Sequence, residues 1–154
     1  MHPLIVHFPI ALLFFSGALY AFALVKNHAN FLQFASLSHL VGTISIIAAI
    51  ISGQQAEAQT IHTHDIHAII ERHGLLSWVC IWAFALLYVW QLLRIKKNIA
   101  WEKYLFLAVF MGMLGLIGYS AHLGGQMVYE KGAGVTPYKP QLEQIFQTEQ
   151  AEKK

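Results

Sequence analysis

LIVHFPIALLFFSGALYAFALV, residues 4–25, contains no Asp, Glu, Lys or Arg. As a helix rising about 1.5 Å per residue it is long enough to cross a hydrocarbon core of about 30 Å. Three more apolar blocks of similar length follow, at 31–53, 74–95 and 104–122. Lipid offers the backbone no hydrogen-bond partner, so each block has to be helical. The chain has 154 residues, 56% hydrophobic and 12% charged, which is far from the balance of a soluble domain. The expected fold is all-α: an antiparallel bundle of four transmembrane helices over residues 1–135, with a polar tail at 136–154.

Basic residues set the expected orientation. The linker between the third and fourth blocks holds Arg94, Lys96, Lys97 and Lys103, and the first linker holds Lys26. The second linker carries Glu57, Asp65 and Glu71 against one Arg72. The positive-inside rule then puts both termini and the second linker outside, in a multi-pass protein of the bacterial inner membrane. The first block has no basic segment before it and no small-residue cleavage site after it, so it reads as a retained span. Cys80, the single cysteine, excludes an internal disulfide, a CxxC redox pair and a CxxCH haem attachment. The net charge of +2 gathers at one linker and gives no sign of nucleic-acid binding.

The nine histidines are unevenly placed. His2 and His7 open the first span, His73 opens the third and His122 closes the fourth, so antiparallel helices bring them into one outer layer. His62, His64 and His67 lie above it in the linker. His28 lies in the inner linker, and His39 stands apart, about 12 Å along the second span. Imidazole is costly inside a bilayer and usually faces a partner there, and its neutral form is the commonest metal ligand. At the start of a helix, His73 would also be kept neutral by the dipole.

Small residues run below these histidines at helical spacing: His7, Ala11, Phe14 and Ala18 in the first span, Gly112, Gly115, Gly118 and His122 in the fourth. Such stripes admit either a flat porphyrin held by facing imidazoles or a closely packed helix. The linker HTHDIHAIIERH offers a rival: if helical, it sets His64, His67 and Glu71 on one face at ligand spacing, without the HExxH of a zinc protease. In SAHLGGQMVYEKGAGV, residues 120–135, Gly124 and Gly125 suit a left-handed helix end. The tail could then fold back, with Tyr129, Lys131, Tyr138 and Lys139 joining Arg72 to bind carboxylates such as haem propionates.

HPLIVHFPIAL at the start, RHGLL at the third span and LGGQMVYEKGAGV after the fourth resemble the small bacterial membrane proteins grouped as domain of unknown function 2231. The resemblance covers residues 1 to about 135. It implies that His2, His7 and His73 are the recurring histidines, whereas the family more often has an aromatic residue at His122. Related domains occur joined to Rieske-type or cytochrome c-type modules, which implies electron transfer.

The leading expectation is a b-type cytochrome-like electron-transfer protein or subunit rather than a stand-alone enzyme. Haem b would lie near the periplasmic side with axial ligands from His7, His73 and His122. His7 with His73 is the preferred pair, and His2 a supporting or alternate ligand. Its partners would be the lipid bilayer and a periplasmic cytochrome c or respiratory-complex subunits, in an oligomeric state the sequence leaves open. The alternatives are a copper or zinc protein using His2, His7 and His73, and a structural subunit of a respiratory complex.

Overall fold

The computed structural model describes residues 2–26, 29–58, 64–94 and 99–130. They form α1 (His2–Lys26), α2 (Ala29–Glu57), α3 (His64–Arg94) and α4 (Ala100–Tyr129), with no strand among the described residues. All four are long and apolar enough to cross a membrane. Each packs on the next, and α4 closes the ring against α1. Cross-helix contacts fix the antiparallel register: His2 with Ser52, Ser16 with Ala35, His39 with Phe84 and His73 with Ser120.

Side-chain placement is that of a bundle in lipid. Phe8, Phe15, Phe22, Trp82 and Leu86 point outward, whereas Ser16, His39, Thr43, Gln91, Glu102 and Ser120 are buried with Leu13, Cys80, Phe84 and Phe110. With hydrocarbon outside there is no hydrophobic force between helices, so close packing and interhelical hydrogen bonds carry the association. Gly17 shows the packing: a Cβ there would lie 2.7 Å from Leu114 Cδ1 and 3.3 Å from Phe110 Cε1.

The helices outrun the apolar blocks. α3 starts at His64, ten residues before the expected boundary at residue 74. Hydropathy ends where side chains turn polar, but backbone hydrogen bonding does not. His73 is therefore well inside α3, and the dipole argument, which holds only for the first turn, does not apply to it. Gly124 and Gly125 do not end α4, which continues to Tyr129; Glu130, in the right-handed region, donates its N–H to the Gln126 carbonyl. Pro9 is buried inside a continuous α1.

Candidate functional site

At the end of the bundle that holds the N-terminus, all four helices contribute to one polar cluster. Ser52 donates its hydroxyl proton to the Ala49 carbonyl at 2.9 Å, so its oxygen accepts from His2 Nδ1–H at 2.8 Å. His73 Nδ1–H donates to the Ser120 carbonyl at 2.9 Å, with Ser120 Oγ 3.2 Å from the same nitrogen. This network assigns both rings the same tautomer, leaving a lone pair on each Nε2. The ring centroids are 6.5 Å apart, with planes at 81°. Ser77 Oγ donates to the His73 carbonyl from the next turn of α3.

Two glycines make this approach possible. A Cβ at Gly53 would lie 3.1 Å from His2 Cε1, and one at Gly124 would lie 3.4 Å from His73 Cε1. The backbones of α2 and α4 thus run beside the Cε1 corner of each ring, between its two nitrogens. Burial, then the neighbouring His73, then the terminal amine push the His2 pKa below its usual 6.5. All three favour the neutral ring, the form that coordinates.

The other expected site residues lie elsewhere. His7 is exposed. Five residues beyond His2, it sits about 140° around the helix, so the two cannot share a face. His122 is also exposed. Gly17 packs on Phe110 and Leu114, which puts His7 and His122 about level on neighbouring helices. Beneath His122, Gly112 and Gly115 face outward, and nothing lies within 4 Å of a Cβ built on either. Arg72, Glu71 and His67 are exposed on α3. His64 starts that helix, but its side chain, like His28, His62, Lys131, Tyr138 and Lys139, lies outside the described residues. Among the described residues, no three His, Cys, Asp or Glu side chains group closely enough to hold a metal ion.

His39 was unassigned in the sequence, yet it is fully buried. Its Nε2–H donates to the Phe84 carbonyl at 3.0 Å, and Tyr20 Oη lies 3.3 Å from Nδ1. Tyr20 also bonds the side-chain amide of Gln91, whose Nε2 has no partner. Exchanging the two amide positions lets Gln91 donate to Tyr20 and Tyr20 donate to His39. Phe84, Tyr88 and Phe110 surround the imidazole ring, with centroids 4.9–5.9 Å away. The available signal was one polar residue in each of three spans at matching depth: Tyr20, His39 and Gln91.

Comparison with known proteins places the chain in a family. The family model described as a predicted membrane protein, domain of unknown function 2231, matches residues 1–137. The chain belongs to that family. No curated protein and no solved structure matches it. The match to domain of unknown function 2231 takes in all four helices, and with them both His2 and His73.

Proposed function

We propose that this protein binds one copper ion at the periplasmic end of the bundle, between His2 Nε2 and His73 Nε2. The observation that carries this reading is the double anchoring of Nδ1. Ser52 holds one ring and the Ser120 carbonyl the other, the kind of support that orients ligating histidines. Two metal–nitrogen bonds of about 2.0 Å, arranged close to a line, span about 6 Å between ring centres. The 6.5 Å separation of the two rings leaves room for such a span. Zinc in protein sites usually takes at least three protein ligands, so a pair of imidazoles favours copper. The periplasmic placement rests on the charge of the linkers.

The test is elemental analysis of full-length protein loaded with copper or zinc and then desalted. Copper at about one ion per chain, lost in His2→Ala and in His73→Ala but kept in His28→Ala, supports the reading. Equal retention by all three variants refutes it.

Haem b is the second reading, and the exposed pair His7 and His122 favours it. They stand level on α1 and α4, with the open faces of Gly112 and Gly115 about two to three turns beneath His122. A haem held by His7 or His122 would carry electrons between the membrane pool and a periplasmic carrier. A Soret band from protein made in haem-replete cells, lost in His7→Ala or His122→Ala, would put this reading first.

A further inference from the structure

The α2–α3 seam opens toward the lipid at the end of the bundle opposite His2. A groove of about 450 Å³ lies there, lined by Ala29, Leu32, Gln33, Ser36, Leu37, Leu40 and Tyr88. Its volume is in the range of small-molecule sites. Its walls are apolar except for the Gln33 amide, near the start of α2, and the Ser36 and Tyr88 hydroxyls further in. A hydroxyl inside a spanning helix is expensive unless something bonds to it. Behind Tyr88 the ring of His39 is 5.4 Å away.

We propose that this groove binds a neutral amphipathic carbonyl compound with a lipid tail, of the isoprenoid quinone class. The lining contains no Lys, Arg or His, so it offers no charge to a phosphate headgroup. Its three neutral polar groups suit ring carbonyls instead. Tyr88 supplies an aromatic face for a flat ring, and Leu32, Leu37 and Leu40 supply a wall for the tail. The proposal is independent of the copper reading, since it concerns the opposite end of the bundle and none of the same residues.

The probe is decylubiquinone, titrated into full-length protein in nanodiscs of phosphatidylcholine while tryptophan fluorescence is followed. The variants are Tyr88→Phe and Ser36→Ala, which remove one hydroxyl each with little change of shape, and their double mutant. Ser45→Ala is the control, because that hydroxyl bonds its own helix at Val41. Circular dichroism and gel filtration establish folding of each protein. Saturable quenching that weakens about tenfold or more in the double mutant and is unchanged in Ser45→Ala is expected; tenfold corresponds to about 1.4 kcal/mol. Non-saturable quenching, or equal affinity in the wild type and the double mutant, overturns the proposal. So does a tightly held phospholipid that decylubiquinone does not displace.

Discussion

Gly17→Ala and Gly115→Ala add the same methyl group to spanning helices and should have opposite consequences. At Gly17 the new carbon would be 2.7 Å from Leu114 Cδ1 and 3.3 Å from Phe110 Cε1. Carbon atoms pack best about 3.5–4.0 Å apart, so Leu114 has to move by about 1 Å. Leu114 and Phe110 are themselves buried, and such overpacking costs about 1–3 kcal/mol. Both variants gain helix propensity, up to about 1 kcal/mol, but at Gly115 nothing lies within 4 Å to oppose it. The difference between them isolates the steric cost of the α1–α4 crossing. Equilibrium unfolding in mixed micelles, followed by circular dichroism, should place Gly17→Ala about 1–3 kcal/mol below Gly115→Ala. Adding Leu114→Ala to Gly17→Ala should make the pair non-additive by at least about 0.5 kcal/mol. Equal stabilities with additive behaviour would show that α1 and α4 do not meet at Gly17.

Tyr20→Phe takes away the group that joins His39 to Gln91, and should cost about 1–2 kcal/mol in the same assay, more than Ser45→Ala on the same scale. Acid should weaken the contacts of His2. Because burial lowers the His2 pKa, the unfolded chain binds the extra proton sooner, so stability is intact above 6.5 and declines as pH falls from 6.5 toward the folded pKa. A pH series of unfolding midpoints, with His2→Gln flattening the decline, checks the sign. For topology, a reporter fused after Lys97 should report cytoplasm and one fused after Lys139 periplasm.

Hydropathy made the four spans legible, because lipid imposes one requirement on every residue that faces it. Antiparallel order likewise brought His2 and His73 to the same end. What the sequence did not settle was which face of each helix turns inward. α1 is apolar on all sides, so His7, Ala11, Phe14 and Ala18 form as regular a stripe as His2, Pro9, Leu13, Ser16 and Tyr20. The buried face is the second one, whose mark is the hydroxyls of Ser16 and Tyr20 rather than greater hydrophobicity. The same rule would have found His39, since an imidazole inside a span turns away from lipid and toward polar groups on its neighbours. The tautomers of His2 and His73 were beyond reach of the sequence, because they depend on a serine hydroxyl and a backbone carbonyl supplied by other helices.

The claim that His2 and His73 form a metal site is tested most directly by X-ray absorption at the copper edge on copper-loaded, full-length protein. Two imidazole nitrogen neighbours and no sulfur neighbour are expected, with the imidazole signal reduced in His73→Ala. A spectrum showing only water-like oxygen neighbours, or one unchanged by replacing either His2 or His73, would contradict it.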